Sequence, residues 1–326
     1  MESYADLPAY AARATWTYKL VLDDAVTTEN RADVVCSDLG PEGVPIIFRR
    51  DGLVIFEFDK AKEYSGGGIP AYELDPRKGS PKHINEKREI RERLRERRYR
   101  YMNAFMSCFN SVINMSNQLP RASGPDHYIW ARLELGQWRF MDNGACDLSR
   151  VPFASAIAGH QLKQAVQRFR SANPKHYELA LEVLDLVYRA GYHLNNHEFQ
   201  TSLILCWVVI ERCQNILWGD FVAGGYKTIN PNSNIAGDRK KLLLSDRNFT
   251  ASIKSQILAL SGVYRDDELK SLDGVRKKRN AFMHGLEIIT SSDAMFARRP
   301  VDLLVEKALG VKLGLFGNPG SWDYIR

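Results

Sequence analysis

The chain of 326 residues has no long hydrophobic run and no closely paired cysteines. No stretch approaches the roughly 20 apolar residues of a membrane-spanning helix, so we expect no span. The N-terminal stretch carries acidic residues early and has no apolar core, unlike a secretory signal peptide. The five cysteines form no CxxC pair, which argues against a zinc site or a disulfide framework. We therefore predict a cytoplasmic protein without a metal or a cofactor.

The sequence has ample material for a folded core and a modest excess of positive charge. Hydrophobic residues make up 44% of the chain, and its length allows two domains of ordinary size. The formal net charge is +6, which favours an anionic partner such as RNA or DNA.

The first 80 residues or so contain short runs of β-branched and aromatic residues between turn signals. Asp51-Gly52 separates two of these runs and predicts a β-hairpin. The segment from Asp126 to Asp142 predicts one or two further strands. The four N-terminal runs are TWTYKLVLDD, ADVVCSDL, VPIIFRR and GLVIFEFDK. We interpret this region as a β-rich domain for packing, recognition or sensing, because it contains no catalytic constellation.

A long helix is predicted from His83 to Gln118, because its apolar residues follow one helical stripe. The segment from Glu86 to Arg100 holds eight basic and four acidic residues, a local charge of +4. Two interpretations stay open: an RNA-facing helix that uses Arg93, Arg97 and Arg98, or a solvated face of a packing helix. The interleaved glutamates would repel phosphate and favour the second.

Beyond Asn173-Pro174 the hydrophobic period is helical almost to the end, so we place a domain boundary near residue 172. The predicted fold class is α+β, with a β-rich domain and a long helix over residues 1–172 and an all-α bundle over residues 173–326. The helix from Glu198 to Trp218 is apolar nearly all round and is predicted to lie at the centre of the bundle. A loop insertion is predicted from Gly219 to Asp246. Other helices are predicted at residues 151–170, 176–193, 249–261 and 266–285, and in a last region that Ser291 or Ser292 caps and Gly310 ends.

The helix from Asp266 to Gly285 ends in a cluster of Arg, Lys, Asn and His. Gly285 is predicted to end the helix in a left-handed conformation. Arg279 and His284 are separated by four residues, and the chain contains four Arg-His pairs with four to six intervening residues, against about two expected by chance. The other three pairs each enclose a proline, which a helix interior does not tolerate. Only Arg279 and His284 therefore lie on one uninterrupted predicted helix.

Neighbouring residues extend this cluster. Arg276, Asn280 and His284 are spaced i, i+4 and i+8, so they share one stripe of the helix, and Arg279 lies beside that stripe. Glu211 is the one acid within the apolar segment CWVVIERCQNILW. A buried carboxylate needs a partner, so we predict that Glu211 pairs with Arg276 or Arg279.

The apolar helix that carries Glu211, followed by a helix ending in RNAFMHG, resembles the HEPN superfamily (higher eukaryotes and prokaryotes nucleotide-binding) and its ApeA-like branch. That family has Arg, four to six residues and then His, with a polar residue, often Asn, directly after the Arg. Arg279, Asn280 and His284 match this pattern, and the resemblance covers about residues 175 to 312. It implies a HEPN-like helical bundle that acts as a metal-independent endoribonuclease, often a toxin or an antiviral defence effector. It also implies a homodimer in which two motifs face one cleft, with RNA as the substrate and an antitoxin or a phage-derived trigger as a candidate partner.

Under this resemblance each residue of the motif has a chemical role. His284 serves as general base or acid, because an imidazole exchanges protons near neutral pH. Arg279 stabilises the phosphorane, and Asn280 donates to a phosphate oxygen or holds His284. The cations that attract the RNA backbone are Arg276, Lys277 and Lys278.

Two alternative functions remain open at this stage. The first is a non-catalytic RNA- or nucleotide-binding HEPN-like module that uses the arginine-rich helix. The second is an interaction protein whose basic residues only solvate its surface. His193 and His197, at a predicted helix junction, are assigned capping or surface roles.

Overall fold

The computed structural model describes residues 9–13, 34–49, 53–61, 81–113, 129–134, 137–141, 159–245 and 249–314. The chain divides into two compact units, residues 1–170 and residues 171–326. In the described ranges, the first unit combines strands with two helices and the second is built from helices. The predicted α+β class is therefore confirmed.

The first unit contains one antiparallel sheet. Its strands are β1 (Ala9–Arg13), β2 (Val34–Leu39), β3 (Pro45–Arg49), β4 (Leu53–Phe56), β5 (Ile129–Glu134) and β6 (Gln137–Met141), and its helices are α1 (Pro81–Ile113) and α2 (Gly159–Arg170). The strand order is β2-β3-β4-β1-β5-β6. Ile47 lies opposite Ile55, so β3 and β4 pair as the predicted hairpin requires, and its Asp51-Gly52 turn lies outside the described residues.

Strand β1 was not predicted from the sequence. Alanine has a low β-propensity, and three of the five residues of Ala9–Arg13 are alanines. The strand is held because it pairs with β4 on one side and β5 on the other. The predicted run TWTYKLVLDD lies outside the described residues.

Aromatic side chains form the core between the sheet and α1 and α2. Phe105 of α1 packs edge-on against Phe56 of β4, with ring centroids 5.5 Å apart. Tyr101 packs edge-on against Phe169 of α2 at 4.9 Å, and all four side chains are fully buried. Such pairs stabilise a core beyond simple burial. Gly40 leaves the room for Tyr101, because a Cβ there would lie 2.2 Å from the tyrosine hydroxyl oxygen.

The second unit is a helical bundle around one central helix. Its helices are α3 (Tyr177–Asn195), α4 (Phe199–Ala223), α5 (Gly237–Leu243), α6 (Ala251–Leu260), α7 (Asp266–Gly285) and α8 (Ser291–Leu309). Helix α4 packs against α3, α6, α7 and α8, which confirms its predicted central position. Within the described ranges, no helix has the length and apolar character to cross a bilayer.

Two boundaries in the bundle differ from the predictions. Helix α4 continues through Gly219 to Ala223, because Trp218 stacks on Phe221 at 5.7 Å and Val222 is buried. The predicted loop insertion also contains the short helix α5. Helix α8 begins earlier than predicted, with Thr290 rather than a serine as its N-cap.

The described cysteines show no disulfide, and three of them are buried. Burial raises the pKa of the Cys206 thiol to about 11 and that of Cys108 to about 12, and it raises the pKa of Cys213 as well. Cys206 and Cys213 are therefore small core residues of α4. Cys146 lies outside the described residues.

Two leucines on α6 test the packing of the bundle. Leu258 is fully buried, whereas Leu260 is 89% exposed. We expect Leu258→Ala to lower the free energy of unfolding by about 2–5 kcal/mol, because it leaves a cavity. The matched variant Leu260→Ala should change it by no more than about 0.5 kcal/mol. Equal losses in urea unfolding of both variants would contradict this packing.

Candidate functional site

Helix α7 is one unbroken helix whose N-terminal half is fixed to the bundle. Glu268 in the first turn accepts a hydrogen bond from the Arg265 amide at 2.8 Å. Glu268 is only 6% exposed, and its carboxylate also pairs with Lys307 of α8 at 3.0 Å. Leu272 and Val275 are buried beneath this half. The position of α7 is therefore set by a buried ion pair and an apolar face.

The C-terminal end of α7 is much more exposed. Phe282 is half-buried and Met283 is 50% exposed. The helix includes Gly285, and Leu286 takes the left-handed conformation with a φ of 53°. The predicted C-terminal role of Gly285 is therefore wrong by one residue. A left-handed leucine costs about 1–2 kcal/mol, and this one is 81% exposed.

Arg279 is ordered by two neighbours. Its guanidinium carbon lies 5.9 Å from the ring centroid of Trp207 on α4, a cation–π contact. Its Nη1 donates to the side-chain oxygen of Asn280 at 2.9 Å. Arg279 makes no other hydrogen bond to the described residues, so most of its five N–H donors stay available for an anion.

His284 lies in the last turn of α7 and is exposed to solvent. His284 is five positions after Arg279, which corresponds to about 140° around a helix. Arg279 contacts Trp207 of α4, whereas His284 is exposed to solvent. One chain thus carries both groups at the same end of α7, at different angles around the helix.

The predicted ion pair of Glu211 is wrong. Arg276 pairs instead with Asp273, one turn earlier on α7, with Nη2 and Oδ1 3.1 Å apart. Arg279 binds Asn280, as described above. A carboxylate three residues away on the same helix reaches Arg276 without ordering a second element. Glu211 is half-buried rather than enclosed, so water can reach its carboxylate.

The two lysines beside the motif have different surroundings. Lys278 pairs with Asp293 of α8 at 3.1 Å, which joins the two helices. Lys277 is exposed and has no ion pair within the described part of the chain. Of the predicted RNA-attracting lysines, Lys277 is therefore the one whose charge is uncompensated.

The histidines at the α3–α4 junction support that turn. His193 Nδ1 lies 2.7 Å from Glu198 Oε2, and the two residues flank the turn between the helices. His197 has a positive φ of 62°, and its ring lies edge-on to Phe199. These contacts agree with the capping and surface roles expected from the sequence.

Sequence reasoning did not assign a role to Trp207 or Arg298. Trp207 contacts the guanidinium of Arg279. In the sequence it is one of many apolar residues on the helix that carries Glu211, and nothing there indicates this contact. Arg298 is 8% exposed, and burial lowers the pKa of its guanidinium. It lies close enough to Cys206 to oppose the rise in the pKa of that thiol. Nothing in the sequence indicated that Arg298 is buried, because arginine is usually exposed.

Comparison with known proteins adds no family to this description. A scan against protein-family models, a search of curated proteins and a search of solved structures each found no match. Within the described ranges, no three His, Cys, Asp or Glu side chains are grouped closely enough to hold a metal ion.

The carboxylate of Asp293 gives a test of the α7–α8 junction. Partial burial raises its pKa, but hydrogen bonds from Thr290 and Lys278 outweigh this effect and hold the pKa below the ordinary value of 3.8. The ionised carboxylate therefore stabilises the fold fully above that value, and its contribution disappears as the pH falls through the lowered pKa. We expect Asp293→Asn to cost about 1 kcal/mol at neutral pH.

Urea unfolding of Asp293→Asn and the wild type, from neutral pH down through 3.8, measures this difference. The difference should shrink toward zero at the acid end. Asp266→Asn, on the exposed first turn of α7, is the matched control and should show a smaller difference. A difference for Asp293→Asn that stays constant over the range would contradict the assigned role.

Proposed function

We propose that this protein is a HEPN-type endoribonuclease that cleaves RNA without a metal ion, as a toxin or an antiviral defence effector. Its catalytic residues are Arg279, Asn280 and His284, and the active unit is a homodimer. The observation that carries this proposal is the placement of an arginine, ordered by Trp207 and Asn280, at the same end of α7 as the exposed His284.

These side chains suit the transesterification by which RNA is cut. A base removes the proton of the ribose 2′-hydroxyl, and the 2′-oxygen attacks the phosphorus. The bond to the 5′-oxygen then breaks, leaving a 2′,3′-cyclic phosphate, and an acid supplies a proton to the 5′-oxygen. His284 supplies the base or the acid. The guanidinium of Arg279 stabilises the charge of the phosphorane through its unoccupied N–H donors.

The angle between the two groups supports a dimeric site. Arg279 and His284 lie about 140° apart on one helix, so we infer that one copy of α7 directs them toward different phosphates. A second copy related by a two-fold axis can place its His284 opposite the first Arg279. Each chain then contributes one group to each site.

Exposed apolar side chains beside His284 suit such an interface. Met283, Leu286 and Ile288 are 50%, 81% and 84% exposed, and they follow one another around the end of α7. Exposed apolar side chains of this size are typical of protein–protein contacts. Lys277, on the same part of α7, adds an uncompensated positive charge that attracts RNA.

Removal of either catalytic group tests the reaction. We expect Arg279→Ala and His284→Ala each to lower RNA cleavage by about 100-fold or more, because general acid–base and phosphorane stabilisation are each worth that much. Cleavage of a labelled RNA by purified protein, and toxicity on expression in cells, are the measurements.

Matched controls are Arg239→Ala and His160→Ala, two exposed residues that do not belong to the motif. Both controls should keep wild-type activity, and thermal unfolding should show that all four variants are folded. The proposal fails if the wild-type protein leaves RNA intact and its expression is harmless, or if the controls lose as much activity as the motif variants.

The interface makes a separate prediction. We expect the double variant Leu286→Gly, Ile288→Ser to weaken self-association by at least about tenfold in sedimentation equilibrium, because it removes two exposed apolar side chains. The glycine also relieves the left-handed leucine, so the folded chain itself should be at least as stable. The matched double variant Leu242→Gly, Leu244→Ser removes exposed leucines elsewhere and should associate like the wild type. A wild-type protein that stays monomeric at assay concentrations would contradict the dimer.

A second candidate function is a non-catalytic RNA- or nucleotide-binding module. The observation that favours it is Arg93 on α1, whose side chain is 81% exposed and reaches Glu89 only at 3.7 Å. Arg97 is instead engaged with Glu42 at 3.1 Å, and Arg98 lies over Phe58. In this case Arg93→Ala should weaken RNA binding and His284→Ala should not, and neither should change the RNA chemically.

A further inference from the structure

A groove of about 320 Å³ lies between the first half of α7 and the middle of α8. This volume is at the lower end of small-molecule sites and suits a ligand of mononucleotide size. Lys270 in the groove and His284 are 14 positions apart on α7, or about 21 Å along a helix axis. The groove therefore uses none of the residues assigned to RNA cleavage.

Two uncompensated cations from different helices line this groove. Lys270 of α7 and Arg299 of α8 are both exposed, and neither has an ion pair among the described residues. A third cation, Arg265, is engaged by the carboxylates of Asp267 and Glu268 at 3.2 and 3.3 Å. Since Arg265 and Lys307 compensate Glu268, the available charge in the groove is positive. Two such cations on opposite walls are suited to an anionic group.

An aromatic ring forms part of the groove wall, and a glycine on α7 leaves room for it. Phe296 of α8 lines the groove and is 42% exposed. Gly274, in the interior of α7, lets this ring approach, because a Cβ there would lie 3.0 and 3.2 Å from two ring carbons. Glycine destabilises a helix interior. Its presence at this position is explained by the close packing of the Phe296 ring. An exposed aromatic face next to cations binds flat rings by stacking.

The groove also contains an unsatisfied polar group. The Ser271 hydroxyl oxygen is buried and has no hydrogen-bond partner within the described part of the chain. A buried hydroxyl without a partner is costly. The groove itself offers two cations and an aromatic ring within one small volume.

We propose that this groove binds a nucleotide unit: a phosphate held by Lys270 and Arg299, and a base stacked on Phe296. The unit is either a free nucleoside monophosphate or one nucleotide of a single strand, since both present the same phosphate and ring. The proposal does not depend on the ribonuclease activity, because no residue of the groove belongs to the Arg-His motif.

Isothermal titration calorimetry of the full chain tests this site with four probes: 5′-AMP, adenosine, ribose 5-phosphate and a hexamer of deoxyadenylate. The hexamer has no 2′-hydroxyl, so a ribonuclease cannot cut it. We expect 5′-AMP to bind about tenfold or more tightly than adenosine, which lacks the phosphate, and than ribose 5-phosphate, which lacks the base. If the hexamer binds and 5′-AMP does not, and if substitutions in the groove weaken binding of the hexamer, the site recognises a single-stranded nucleic acid rather than a free nucleotide.

Variants locate the binding. The double variant Lys270→Ala, Arg299→Ala should lower the affinity for the probe by about tenfold. The control double variant Lys227→Ala, Lys312→Ala makes the same change in net charge outside the groove and should leave the affinity unchanged. Gly274→Ala should weaken binding by displacing the Phe296 ring, while its thermal unfolding temperature stays equal or rises. The proposal is overturned if no probe binds, or if the two double variants bind the probe equally.

Discussion

A helix that is apolar on nearly every side must be enclosed by protein, and α4 imposes this constraint on the C-terminal unit. Helices α3, α6, α7 and α8 pack around it, so their positions follow from the need to remove its surface from water. The same helix carries Trp207, which orders Arg279 on α7. The burial of α4 therefore both holds the bundle together and sets the position of the proposed catalytic arginine.

The two halves of α7 have different physical roles. Its first half is fixed by the Glu268–Lys307 ion pair and by buried apolar residues, whereas its last two turns are increasingly exposed and end in a left-handed leucine. Exposed apolar residues and a strained backbone are costly in an isolated chain. Both occur next to His284, which is where the proposed function requires a second copy of the chain. The first half, in turn, forms one wall of the groove that we assign to a nucleotide.

The longer helices were predictable because long apolar periods leave few alternatives, whereas the short helix α5 lies in a segment predicted to be a loop. The strand at Ala9–Arg13 was not predictable, because its alanines favour no strand until β4 and β5 flank it. The residues of the Arg-His motif were identified from their spacing, but their surroundings were not. Asp273, one turn before Arg276, competes with Glu211 for the arginine. A sequence pattern does not reveal which of the two carboxylates forms the ion pair. The contacts of Trp207 and Arg298 depend on how α4 packs against α7 and α8. This packing is a tertiary feature that the sequence pattern does not specify.

The central claim is that each active site takes Arg279 from one chain and His284 from its partner. The most direct measurement mixes Arg279→Ala and His284→Ala proteins, allows the subunits to exchange, and follows RNA cleavage. Half of the dimers are then mixed and have one site with both groups, so activity should recover to about a quarter of the wild-type value. A mixture no more active than the mean of the two separate variants would contradict the claim.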